Sequence, residues 1–259
     1  MSDGRFFVII YKNVILFIVL SGREEEIPLG ALSQFTQSIN WSDLGDMVLR
    51  VVAILICLIV HEVCHGLAAY RLGDPTAKQN HRLSLNPLRH LDLFGTLMMI
   101  VVGFGWAKPV PVDPRYFKKP KQGMAITALA GPVSNFVLAF LSAIAVNGLM
   151  GAVSVRGEET ALITAARFFY LMVLLNIGLG IFNLIPFPPL DGSKVLAMFL
   201  PDRAYVRWMQ LERYGMFLLM ILLWVGVFDT FLTAARTQVM DWMFAGSEFA
   251  YYGVQNLLR

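Results

Sequence analysis

A chain of 259 residues that is 57% hydrophobic and only 15% charged departs from a soluble domain, which is nearer half apolar and a quarter charged. Its apolar residues gather into long runs, so the solvent they face is lipid, and the expected fold class is an α-helical multi-pass membrane protein. A net charge of +3 is too small to suggest nucleic-acid binding, and Cys57 and Cys64 fall about 10 Å apart on one helix, too far for a disulfide.

In chain order, residues 6–20 are apolar but interrupted by Lys12 and Asn13. They read as a first span, a signal-peptide core or a hairpin; we favour a short membrane-associated segment within an N-terminal extracytoplasmic region, 1–46. Residues 47–70 are the first long apolar helix, followed by 125–150 and 162–185, each near the roughly 20 residues that cross a bilayer. Residues 214–228 form a fourth, shorter span that can extend at either end. Residues 91–104 are apolar but too short for a span, so they read as a re-entrant or interfacial element. The expectation is a bundle of about 4–6 transmembrane helices with a re-entrant or short β-hairpin element near the active site. No repeat or long linker divides the chain, so residues 47–228 form one core and 229–259 an amphipathic C-terminal tail.

Charge sets the orientation. Arg71, Lys78, Arg82 and Arg89 precede the short apolar element, and Lys108, Arg115, Lys118, Lys119 and Lys121 follow it. Both stretches are basic and belong on the cytoplasmic side, which a dip into the membrane permits and a crossing does not. Lys194, Arg203, Arg207 and Arg213 join them by parity, while Glu24, Glu25 and Glu26 fall outside.

The chemistry lies in His61-Glu62-Val63-Cys64-His65, at the end of the first long helix. Residues four apart share a helix face, so both imidazoles reach one ion. Zinc takes such ligands, and its catalytic sites carry three protein donors plus a water. Glu62, beside the first ligand, is placed to take that water's proton. Ionisable groups in an apolar span are costly without partners, which favours a functional site over satisfied core histidines. Cys64 points about 100° away from His65 and reads as packing. The third ligand comes from Asp74, Asp92, Asp113 or Asp191. Asp74 and Asp113 precede prolines and read as turn residues. Asp191 follows the third long helix, where Pro186, Pro188 and Pro189 break the helix and aim a carboxylate at the depth of the histidines; its bland alternative is a loop aspartate before a turn glycine. His81 and His90 read as surface or supporting residues.

Ordered strings extend this pattern: Tyr70-Arg71-Leu72-Gly73-Asp74-Pro75-Thr76-Ala77, Leu85-Asn86-Pro87-Leu88-Arg89-His90, Gly105-Trp106-Ala107-Lys108-Pro109-Val110-Pro111-Val112, Ala130-Gly131-Pro132-Val133-Ser134-Asn135 and Leu190-Asp191-Gly192. With His61-Glu62-x-x-His65, they make the chain from about residue 51 to 201 resemble the site-2 protease family of intramembrane zinc metalloproteases, in its compact prokaryotic form without a PDZ domain. The resemblance implies one Zn2+ per chain held by His61, His65 and Asp191, with Glu62 as general base. It makes Asn135 a candidate for holding substrate or stabilising the oxyanion, against a helix–helix hydrogen bond as the plain alternative. Residues 104–112 would present an edge strand to an unwound substrate, or form an interfacial loop anchored by Trp106.

The implied function is hydrolysis of peptide bonds in transmembrane substrates, as in regulated intramembrane proteolysis. The partners are a single-span membrane protein or membrane-embedded peptide and the lipid bilayer, with no nucleic acid. The location is the cytoplasmic membrane, with the active site near its inner face. The alternatives are a membrane zinc hydrolase of a non-peptide substrate and a catalytically inactive scaffold.

Overall fold

The computed structural model describes residues 41–90 and 109–259, and all regular structure there is helical. Helix α1, Trp41–Arg71, carries a stretch long and apolar enough to span a membrane, Val48–Arg71. It stops because Gly73 takes φ 107°, and the Asp74 N–H returns to the Ala69 carbonyl at 3.0 Å. A single turn, α2 (Thr76–Gln79), follows. Helix α3, Pro120–Arg156, opens on a proline, whose missing N–H costs nothing in a first turn. Its 37 residues extend about 55 Å, well beyond the roughly 30 Å of bilayer hydrocarbon. Three residues then lead into α4, Thr160–Leu184, so α3 and α4 run antiparallel.

The proline-rich break after α4 leads into α5, Asp191–Met198, then α6, Asp202–Trp224, and α7, Asp229–Leu258. Three described helices, α1, α3 and α4, are long and apolar enough to cross a membrane; α6 and α7, bent by 84° at their junction, would make a fourth if they form one broken span. The fourth span expected at 214–228 is therefore redrawn. Its helix starts earlier, at Asp202, and ends at Trp224, where Gly226 (φ 75°) turns the chain. The amphipathic tail expected at 229–259 is helical, as α7. The short element expected at 91–104, most of the edge strand at 104–112, and residues 1–40 lie outside the described residues.

Small residues let the helices close up. Ala53 and Cys57 of α1 meet Met172, Leu175 and Leu179 of α4. Ala139 and Ala143 of α3 pack on Val173, Ile177 and Ile181 of α4, and Leu232, Val239 and Met243 of α7 cover that seam. Such close contact replaces the hydrophobic driving force that lipid removes. Three helices thus enclose a polar centre roughly one-third of the way along α3.

Candidate metal centre

His61 and His65 point from one face of α1 toward the start of α5. Their Nε2 atoms lie 3.0 Å apart, and each is 3.2 Å from Asp191 Oδ2. All three residues are largely or wholly buried. Gly131 of α3 forms the wall behind them: a Cβ there would stand 2.5 Å from His65 Nε2 and 2.6 Å from His61 Cε1. The break at Pro186–Pro189 frees the chain from α4, and Gly192 then packs where a Cβ would meet the Ile185 carbonyl oxygen at 2.6 Å. That tight reversal turns Asp191 back under α1.

The proton positions follow from the neighbours. His65 Nδ1 lies 2.7 Å from the Thr127 carbonyl, which can only accept, so Nδ1 carries the proton and Nε2 is bare. His61 Nδ1 lies 2.5 Å from Asn135 Oδ1, which likewise calls for a proton on Nδ1. Two lone pairs and a carboxylate then converge on one point with no hydrogen between them. A tetrahedral zinc with ligands near 2.0 Å needs donor atoms about 3.3 Å apart, and the observed 3.0, 3.2 and 3.2 Å fit that edge length. Burial would push the Asp191 carboxyl up. When no metal is bound and the imidazoles instead carry protons toward Asp191, the charge on His65, hydrogen bonds from both rings and the charge of Lys194, with Nζ 3.6 Å from Oδ1, outweigh that and hold it well below the usual carboxylate range.

Glu62 sits beside the two ligands with Oε2 accepting the Val110 N–H at 3.0 Å. Segment 109–113 is thereby tied to α1, and Gly66 leaves room for it, since a Cβ at 66 would meet Val110 Cγ1 at 2.9 Å. Arg82 is buried nearby and donates to the Arg89 carbonyl. Burial pushes its pKa down, and the negative charge of Glu62 opposes that shift.

Of the sequence-derived candidates, His61, His65 and Asp191 come together, with Glu62 at their side. Asn135 also reaches the centre, but through its oxygen. Its NH2 group, the part an oxyanion would need, is turned to Asn176 Oδ1 at 2.7 Å and the Cys57 carbonyl at 3.4 Å; the arrangement matches the helix–helix alternative. Asp74 and Asp113 stand apart from the centre and serve loops: Asp74 accepts from Thr76 N–H at 2.9 Å and from Asp113 N–H at 2.7 Å, and Asp113 pairs with Arg115. Asp92 is outside the described residues. His81 is exposed, whereas His90 is buried with Nε2 2.6 Å from the Ser84 carbonyl; neither joins the metal group. Both cysteines are free. Asn176, Thr127 and Gly131 were missed as parts of the site. The one signal for Asn176 was an amide embedded in an apolar helix, which demands a partner without naming it.

Similarity to known proteins agrees with this geometry. The sequence profile of Peptidase family M50 matches residues 142–225, the stretch that holds Asp191. The protein named "Putative zinc metalloprotease YwhC" of Bacillus subtilis (strain 168) is 40% identical over 179 residues, 69% of this chain and 81% of that one. The chain belongs to peptidase family M50, the site-2 proteases. This M50 member also matches Rip2 of Mycolicibacterium smegmatis, another protein named as a zinc metalloprotease, at 27% identity over 187 residues, 70% of this chain and 69% of Rip2. No solved structure matches it. It is a membrane zinc metalloprotease: among the described residues three helices are long and apolar enough to cross a membrane, and the His-His-Asp group could hold the metal.

Proposed function

We propose that this metalloprotease hydrolyses peptide bonds of single-span membrane proteins or membrane-embedded peptides, inside or beside the bilayer of the cytoplasmic membrane. One observation carries the reading: both imidazoles belong to the membrane-spanning stretch Val48–Arg71 and are walled by Gly131, which lies within Pro120–Arg156. A hydrolytic centre walled by spanning helices favours substrates already in the membrane. Basic residues at the nearby helix ends, Arg71, Lys78, Lys119, Lys121 and Lys194, favour a centre near the cytoplasmic face.

His61, His65 and Asp191 would hold the zinc. Bound there, it supplies a water of lowered pKa and a Lewis acid for the carbonyl. Glu62 accepts the proton of the attacking water and hands it to the leaving amine. The Val110 N–H holds one Glu62 oxygen and leaves the other for this transfer.

The test uses purified full-length protein in lipid and a model transmembrane peptide. Cleavage should be lost on chelation and return with zinc. Glu62→Gln should retain zinc and lose cleavage by a factor on the order of 10²–10⁴. Cleavage retained in that variant, or a peptide left intact while a small ester or amide is hydrolysed, would overturn the proposal. The membrane peptides that accumulate in cells carrying Glu62→Gln, compared with wild-type cells, would identify the substrate.

A further inference from the structure

The zinc-facing side of His61 is fixed by its far side, and that far side leads away from the metal across two helices. Asn176 of α4 donates from Nδ2 to the Met172 carbonyl at 2.8 Å and lies 3.0 Å from Cys57 Sγ. A carbonyl cannot donate, so the Asn176 amide has one orientation, with Oδ1 turned to Asn135 at 2.7 Å. Asn135 must then present Nδ2 to Asn176 and Oδ1 to His61 Nδ1, at 2.5 Å. That oxygen requires a proton on Nδ1, which leaves the Nε2 lone pair facing Asp191 and His65. The bond directions follow from the Met172 carbonyl on α4, and the Cys57 carbonyl, which accepts from Asn135 Nδ2 at 3.4 Å, agrees with them. Asn135 and Asn176 are both fully buried, so water does not offer an alternative partner.

We infer that Asn176 is a positioning residue for the metal centre: acting through Asn135, it holds His61 in the tautomer and ring orientation that bind zinc. Partners of this kind set ligand orientation, and their loss typically costs 10–100-fold in metal affinity. Without Asn176, only the long 3.4 Å bond to the Cys57 carbonyl holds the Asn135 amide against turning its NH2 toward His61. A donor would then face Nδ1, the proton would move to Nε2, and the metal position would be blocked. Asn176 is therefore distinct from a mere packing residue, whose removal loosens the α1–α4 seam and leaves the ligand tautomer alone.

The test measures zinc affinity of full-length protein by competition with a chromophoric chelator, alongside thermal unfolding of the metal-free form. Asn176→Leu should weaken zinc binding by about 10–100-fold. Asn176→Ser, too short to reach Asn135, carries the same expectation if the leucine form does not accumulate. Asn176→Asp should keep affinity near wild type, because its carboxyl oxygen still accepts from Asn135 and its neutral form still donates to Met172. Combining Asn176→Leu with Asn135→Leu should cost little beyond Asn135→Leu alone, since one change acts through the other. Cobalt-substituted protein should show an altered visible spectrum in Asn176→Leu and Asn176→Ser. Wild-type zinc affinity in either variant, even with lowered metal-free stability, would overturn the inference, as would additive losses in the double variant. None of these readouts depends on which substrate is cleaved.

Discussion

At the scale of single residues, Gly131 shapes the centre by lacking a side chain. The imidazoles occupy the volume a side chain at 131 would need. Gly131→Ala should therefore displace both rings and lower zinc affinity by about tenfold or more, the range seen when ligand orientation is lost. Helix α3 itself should persist, because alanine is the better helix former. Zinc content and circular dichroism of the purified variant check both halves. Acid should separate metal from fold in a similar way. The Asp191 pKa is depressed, so its contribution to stability is present above about pH 3.9, the unfolded carboxylate value, and is lost only as pH falls through the lower folded value. Protons compete with the metal for the imidazoles, which bind zinc only when neutral. Mild acid should therefore release zinc from a folded protein that takes it up again on neutralisation; unfolding in step with zinc loss would contradict this. Much of the site was legible at this scale. His61, Glu62 and His65 share one helix, so a spacing of four states their geometry. Asp191 stood among four carboxylates until the proline break and the family resemblance singled it out. Asn176 was not legible, because hydrogen-bond partners 41 and 119 positions away, Asn135 and Cys57, leave no local pattern.

At the scale of elements, the active site depends on how non-helical segments are tied to α1. Segment 109–113 is held at both ends by carboxylates, with Glu62 taking the Val110 N–H and Asp74 taking the Asp113 N–H. Asp74 is fully buried and also receives the Thr76 N–H and hydroxyl. Asp74→Ala would leave these donors without partners and should cost roughly 2–4 kcal/mol of stability. It should also reduce cleavage while zinc stays bound, since the metal ligands are untouched and only the setting of Glu62 is loosened. Chemical denaturation and zinc content would check this, and a variant of wild-type stability would refute it. The sequence read Asp74 as a turn residue, which is correct locally. It could not show that the same carboxylate reaches a segment 39 residues downstream. The apolar run at 214–228 shows only part of its helix for a related reason. Hydropathy follows the apolar part of α6, whereas the helix also includes the charged stretch from Asp202, where Lys121 of α3 pairs with Asp202 at 2.6 Å.

At the scale of the whole molecule, α7 determines whether the three-helix core stands alone. Its contact with α3 is a ladder in register. Asn147 donates to Ser247 Oγ at 2.8 Å, Gly151 packs against the Tyr251 carbonyl, and Gln255 donates to Ser154 Oγ at 3.1 Å. Polar rungs and small residues are the contacts that hold helices together when lipid offers no hydrophobic gain. The sequence showed residues 229–259 as amphipathic without showing their partner, because the rungs that face α3 lie about 100 positions from it along the chain. Gly151 tests the ladder without touching the metal. It lies twenty residues from Gly131 along α3, or about 30 Å. A side chain there meets backbone, which cannot rotate aside. Gly151→Val should cost about 1–3 kcal/mol through overpacking, lowering the thermal midpoint in detergent by several degrees. Zinc affinity of the folded protein should stay at the wild-type value, because the imidazoles and Asp191 keep their surroundings. An unchanged midpoint would mean that α7 does not hold the bundle. A large loss of zinc would mean that the α3–α7 seam and the centre move as one body.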